Sequence, residues 1–504
     1  MSLQSIDDTR DVVPRWRSFA DTRASAELAP LRRASVIATE SELAPLRAQY
    51  TNSEDQYVIA DYLCALIAYQ VSQSVIAPVA RALEAVSDEG SSLWKFAREA
   101  IGPRDEQTNN DVEMSSIDAH ARLQLRALRR AMRRSPRRAT FRIDAALAHA
   151  TLGNKVSANR EARIALDLAP TNRFVVRSAA RLLISQDKPD EAVWVLRRSG
   201  IHLHDPWILA PLLSAMQLAG RSPSEFRAAR ELSTTANHSP SDLAELWSEM
   251  ATIELGAGKT KVARGLFRSS LAEPNDNVVA QAEWASKAGG FTLPEAALDV
   301  ERGYEARSRA FAREARWNES VAEGRAWQRD EPFALEPALS TSYVAALVLE
   351  DYERALEVAV AGLSFHPQDA ALRNNAAFAA ANLGNVEEAN NHLRRATPEN
   401  DGERTTITAT RGLIAFRTGD IATGRARYRE AINEFRKAGN ADMSAMASSL
   451  WALEELRVRS PAAEMIRAAA AKDAEGANLP EVPILIDRVE ARLSDATGGA
   501  SSSA

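Results

Sequence analysis

Apolar positions in this chain recur at helical spacing and then break at short polar turns. The run Asn375-Ala376-Ala377-Phe378 leads through Leu383 to Gly384-Asn385, and a second run follows with Ala389, Leu393 and Ala396. In each run small or apolar side chains fall three and four residues apart, on one face of a helix. Glycine suits the junction because the residue that ends a helix often takes a positive φ, which glycine adopts without strain. The spacing predicts two helices joined by a tight turn.

The same couplet returns along the chain. Thirty-four residues before Val386-Glu387-Glu388-Ala389 stands Tyr352-Glu353-Arg354-Ala355, followed by Gly362-Leu363 and Pro367. Thirty-five residues after Gly384 comes Gly419-Asp420, then Gly424, Tyr428, Ala431 and Ile432. Nearer the front, Gly153-Asn154 leads to Ala158, Ala162, Ala165-Leu166 and Pro170, and the next unit gives Asp190-Glu191-Ala192, Leu196 and Pro206. A period of this length marks an array of stacked supersecondary units. The pattern resembles the tetratricopeptide repeat (TPR) family, in which small residues midway along both helices let their axes approach, a third receives the next unit, and proline closes the second helix. The resemblance implies an all-α fold, an α-solenoid of stacked helix-turn-helix TPR repeats.

Laid along the chain, this frame gives units at 139–172, 173–206, 244–276, 301–335, 336–369, 370–404 and 405–438. They group into a first array half, 139–276, an irregular connector, 277–300, and a second half, 301–438. Residues 207–243 keep Gly220 but slip in register. The region 27–138 is helical by pattern and holds one degenerate unit: Trp94, Ala97 and Ile101 in a first helix, Leu128, Ala131 and Met132 in a second, with an inserted loop at 102–117. Residues 439–495 are expected to form capping helices, the segment 1–26 to be partly disordered, and the tail 496–504 to be disordered.

Composition narrows the class. The 504 residues are 45% hydrophobic and 26% charged, with only 6% aromatic, and the net charge of −6 excludes a generally polycationic nucleic-acid binder. A single cysteine, Cys64, excludes an internal disulfide framework. Asp7, Asp8, Asp11 and Asp21 interrupt the N-terminus, no stretch is apolar enough to span a bilayer, and the expectation is a cytoplasmic protein without membrane attachment. Arginine outnumbers lysine 54 to 8, which with the alanine bias points to a GC-rich bacterial coding sequence.

Candidate chemistry is sparse. Gly256-Ala257-Gly258-Lys259-Thr260 looks like the end of a phosphate loop, but Ile253 stands where the first glycine belongs and the preceding residues read as helix, so the glycines fit a helix–helix turn. His202-Leu203-His204-Asp205 gathers ligand types without the third and fourth converging groups that zinc requires. No catalytic residue, metal or cofactor is expected, and the protein reads as a non-enzyme.

Two surfaces stand out. Nine arginines and no acid lie between Ala119 and Ile143, and at helical spacing Arg122, Arg126, Arg129 and Arg133 fall within about 60° of one another. This stripe suits an anionic or acidic partner. It equally suits a solvated face, or internal pairing with Asp105, Glu106, Asp111 and Glu113. The second surface follows from the resemblance, whose first helices line a groove for extended or helical peptides. The inner offsets fall on Arg177, Arg181, Asn374, Asn375, Phe378, Asn382 and Arg417. The paired lysines of chaperone-binding members are absent, since Ser340 and Val344 occupy the comparable places. The expected function is an interaction scaffold, adaptor or sensor that binds a partner protein or peptide in this groove. The alternative is a nucleic-acid-contacting solenoid that uses the arginine stripe.

Overall fold

The computed structural model describes residues 13–19, 40–53, 55–68, 73–88, 91–101, 115–234, 238–289, 291 and 293–501. Among these, every regular element is helical. The chain divides into two compact units, Pro30–Glu113 and the remainder, Met1–Ala29 with Met114–Ala504.

In the smaller unit, helices α1 (Glu40–Thr51), α2 (Gln56–Ala68), α3 (Gln73–Val86) and α4 (Ser92–Ile101) pack in succession. Their apolar faces meet around Leu63, Leu66, Ala80, Leu83 and Ala97, with Tyr50 stacked on Tyr62.

The larger unit opens with α5 (Ser115–Arg134), which packs on α6. Antiparallel pairs follow: α6 (Ala139–Thr151) with α7 (Lys155–Leu168), α8 (Arg173–Ile184) with α9 (Pro189–Arg198), α10 (Pro206–Leu218) with α11 (Phe226–Thr234), and α12 (Pro240–Gly256) with α13 (Thr260–Ser270). Helix α14 (Asp276–Gly289) has no second helix. A short 3-10 turn, Glu295–Leu298, follows it, and Phe291 and Leu293 cover its flank beside Phe267. Pairing then resumes with α15 (Tyr304–Arg313) and α16 (Trp317–Asp330), α17 (Glu336–Leu347) and α18 (Tyr352–Phe365), α19 (Ala370–Asn382) and α20 (Val386–Arg395), α21 (Asp401–Arg417) and α22 (Ile421–Lys437), and α23 (Ala441–Arg457) and α24 (Ala463–Ala474). The last helix, α25 (Glu481–Ser501), packs on α23 and α24. First helices also touch the first helix of the next pair, as α10 does α12 and α19 does α21, so the pairs stack in tandem.

Local sequence sets these boundaries. Asn154, Asn172, Asp205, Asp351, Asp369, Asn400, Asp420 and Asn440 each accept a backbone N–H at a helix start. Such caps satisfy donors that the first turn leaves without partners. Close crossings need missing side-chain atoms. A Cβ on Gly362 of α18 would lie 2.5 Å from the Ala338 Cβ and 2.6 Å from Leu372 Cδ2, so this glycine sits in a notch between the first helices on either side.

The turn between the helices of a pair takes positive φ, at Gly153, Gly258, Gly384 and Gly419 among others, but Ala315 occupies the same place between α15 and α16 at φ 56°. Non-glycine residues there cost about 1–2 kcal/mol, partly offset by glycine's greater unfolded-state freedom. Ala315→Gly should therefore raise stability by about 0.5–1 kcal/mol. A chemical-denaturation midpoint at or below that of the wild type would contradict this.

Candidate functional site

Most first helices of the larger unit touch the next, and the chain's own residues 13–19 lie against several of them. This segment belongs to no helix or strand. Trp16 is 1% exposed and packs on Phe333, ring centroids 5.5 Å apart. Phe19 meets the Phe174 ring edge-on at 5.2 Å, and its N–H donates to Asp144 Oδ1 at 2.8 Å. Arg15 pairs with Glu331, with Glu305 at 2.5 Å and with Asp276 at 3.4 Å. Arg17 pairs with Asp276 at 2.6 Å and Asp330 at 2.7 Å. The segment thus bridges α6 and α8 to α14, α15 and the end of α16.

The electrostatics of this strap are those of a buried, charge-dense contact. Burial works against the charges of Glu331 and Asp276, yet the ion pairs outweigh it. Burial pushes the Glu331 carboxyl up, but the Arg15, Arg181 and Arg17 guanidinia outweigh it and hold it at about 2. Asp276 is also held below its ordinary value, by Arg17 and Arg15 against the same desolvation. The stabilisation from Glu331 is therefore complete above its ordinary value of 4.5 and is lost as pH falls toward 2.

Arg177 and Arg181 lie beside the strap, below the surface. Arg177 is 2% exposed, donates to both Glu245 oxygens at 2.8 and 2.6 Å and to the Trp207 carbonyl at 2.7 Å, and stacks on the Trp207 ring. Arg181 faces Glu331 at 3.6 Å and lies over Phe333.

The other five groove candidates gather in the second half. Asn374, Asn375 and Phe378 of α19 line an apolar cleft of about 90 Å³ with Leu339 and Tyr343 of α17 and Met446 of α23. Asn375 donates to the Leu339 carbonyl at 3.2 Å and to Ser342 Oγ at 3.0 Å, which ties α19 to α17. Phe378 also lines an adjoining polar cleft of about 180 Å³, where Asn382 and Arg417 meet Arg457, Arg488 and Arg492. Arg417 donates to Asn382 Oδ1 at 2.7 Å and to Glu454 at 2.8 Å. A third cleft, about 460 Å³, joins the first at Ser340 and is walled by Trp284, Trp317 and Trp327. Helix α25 reaches this region: Arg488 donates to the carbonyls of Leu347 and Val348, and Arg492 pairs with Glu350 at 2.9 Å.

Arg122, Arg126, Arg129 and Arg133 are exposed together on α5, while Ala121, Leu125 and Leu128 are buried on its other side. The acids weighed as their partners, Asp105, Glu106, Asp111 and Glu113, lie outside the described residues. Gly258 sits at φ 75° in the turn between α12 and α13, and Asp205 caps α10 while pairing with Arg173. Among the described residues no three His, Cys, Asp or Glu side chains are grouped to hold a metal, and no helix is long and apolar enough to cross a membrane.

The strap itself was not foreseen from sequence. Its signal is the alternation of basic and aromatic residues in Arg15-Trp16-Arg17-Ser18-Phe19, set in an otherwise acidic N-terminus. Its receptor, spread over residues 144 to 333, leaves no local trace.

Tandem antiparallel pairs with glycine or alanine at their crossings settle the architecture. The fold is an all-α solenoid of stacked helix-turn-helix pairs. No protein-family model matches the chain, and no curated protein matches it in sequence. Solved structures similar to this solenoid include the APC/C hetero-tetramer Cut9–Hcn1, at 13% identity and TM-score 0.30, covering 90% of this chain and 99% of that one. A monomeric IFIT1 mutant with m7Gppp-AAAA gives 13% identity and TM-score 0.30, covering 92% and 98%. The P58(IPK) TPR domain gives 13% identity and TM-score 0.19, covering 71% and 99%. The architecture rests on this chain's own helix pairs.

Proposed function

We propose that the protein is a non-catalytic interaction scaffold that binds a segment of a partner protein along its first-helix lining, as a cytoplasmic adaptor or sensor. One observation carries the reading: this lining already holds peptide in two forms, the non-helical strap at 13–19 and the helix α25. A surface that buries both a non-helical segment and a helix offers pockets for side chains and donors for backbone carbonyls, which is what segment recognition requires. The clefts around Phe378 are the open part of it. Asn374 Oδ1 is buried there without a hydrogen-bond partner, an acceptor available to an incoming N–H.

A photo-crosslinking residue placed at Phe378 should capture one defined partner from the native host, whereas the same residue at Val156, 82% exposed on α7, should not. For the partner so identified, Phe378→Ala should weaken binding roughly 10- to 100-fold, the range for an aromatic anchor. Equal capture at both positions, or unchanged affinity, would overturn the reading.

A further inference from the structure

We propose that the lining between α14 and α16 is a receptor site for an arginine–aromatic–arginine segment of a partner protein, and that residues 14–19 are the chain's own competitor for it. The proposal rests on the segment-binding reading above and names the chemistry of one site within it.

The site has an excess of buried acid. Asp276, Glu305 and Glu331 are buried and Asp330 nearly so, and all four converge on Arg15 and Arg17. Other cations reach the cluster at longer range: Arg181 to Glu331 at 3.6 Å, Arg302 to Asp330 at 3.4 Å and Arg309 to Glu305 at 3.4 Å. Emptied of the strap, the lining would hold four crowded carboxylates in a partly desolvated setting, which raises their free energy steeply. The lining therefore demands a cationic occupant. Guanidinium fits the demand better than ammonium, because Arg15 donates to Glu331 and Glu305 while lying beside Asp276, and Arg17 donates to both Asp276 and Asp330. Between the two cations, the Phe333 ring receives one flat apolar side chain, the indole of Trp16.

The occupant behaves as a ligand in its placement. It belongs to no helix pair, and residues 20–114, which include all of the smaller unit, separate it from the array it fills. Its contacts run from Asp144 and Phe174 to Phe333, across elements that stack on one another without it. A tethered segment acts at an effective concentration in the millimolar range, so it masks the site from a free peptide of equal affinity without blocking it permanently.

The test uses the full chain carrying Arg15→Glu and Arg17→Glu, which turns both anchors against the acidic lining, and a labelled peptide Val-Pro-Arg-Trp-Arg-Ser-Phe as the probe. By fluorescence anisotropy the released variant should bind the peptide roughly 10- to 100-fold more tightly than the wild type. A peptide with glutamate at both arginine positions should not bind, and adding Asp276→Asn and Glu331→Gln to the released variant should abolish the gain. Should the released variant fold poorly, hydrogen exchange on the wild-type chain decides: excess peptide should speed exchange at amides 15–19 and leave α14–α16 protected. No binding by a folded released variant, charge-independent binding, or unaltered exchange would overturn the proposal. So would a concentration-dependent dimer abolished by Arg15→Glu, since the segment would then serve a second copy of the chain. Each failure leaves the Phe378 crosslink unaffected, so the two readings fall separately.

Discussion

Glu245→Ala should destabilise the first half of the array by about 3–5 kcal/mol, the cost of leaving a buried charge without its partner. The loss falls on Arg177, whose side chain is 2% exposed. Its two hydrogen bonds to Glu245 would vanish, while its bond to the Trp207 carbonyl and its stacking on the Trp207 ring would remain. Glu245 also accepts from Asn275 at 2.9 Å, so the loss reaches from α8 and α10 to the start of α14. Because repeat arrays unfold in parts, amide exchange in α8 and α12 measures the effect better than one melting curve. Protection there should fall by roughly two to three and a half powers of ten. Arg177→Met combined with Glu245→Leu should recover most of it, because a buried ion pair is worth little more than well-packed apolar side chains. Loss of less than about 1 kcal/mol in the single variant would mean that water reaches Arg177.

That pair shows where sequence stops. The family offset fixes which face of α8 carries Arg177, but it says nothing of depth, and Glu245 stands 68 positions away with no pattern linking the two. What repeats locally is legible. Gly153, Gly384 and Gly419 announce the turns between paired helices, and Asn154 and Asp420 beside two of them announce the next cap, because backbone geometry is decided within a few residues. Asn374, Asn375 and Phe378 fall together for the same reason, being one helix face, whereas the convergence of Asn382 and Arg417 with Arg488 and Arg492 depends on the return of α25. The strap is hardest to read. Its arginines meet acids contributed by α14, α15 and the end of α16, which sequence order scatters over 56 positions from Asp276 to Glu331. Only tandem stacking assembles them, so the site exists at the level of the array and not of any unit.

Gly362→Val should uncouple the second half of that array. The new Cβ alone would come within 2.6 Å of Ala338 on α17 and Leu372 on α19, and neither helix has room to retreat, since Leu372 and Ala338 are both fully buried. Overpacking of this kind costs about 1–3 kcal/mol at one contact. Here it strikes two interfaces at once, and valine's better helix propensity returns less than about 1 kcal/mol. In a nearest-neighbour array a break between units separates the stability of the two sides. Helices α17–α20 should lose exchange protection while α6–α13 keep theirs, and the Phe378 crosslink should fade because its cleft spans α17 and α19. Gly384→Ala is the matched control. It sits at φ 86° with nothing within 4 Å of its Cβ position, so it should cost about 1–2 kcal/mol of backbone strain and leave the stacking intact. If the two variants lowered protection equally and over the same helices, the notch at Gly362 would not be what holds α17 and α19 in register.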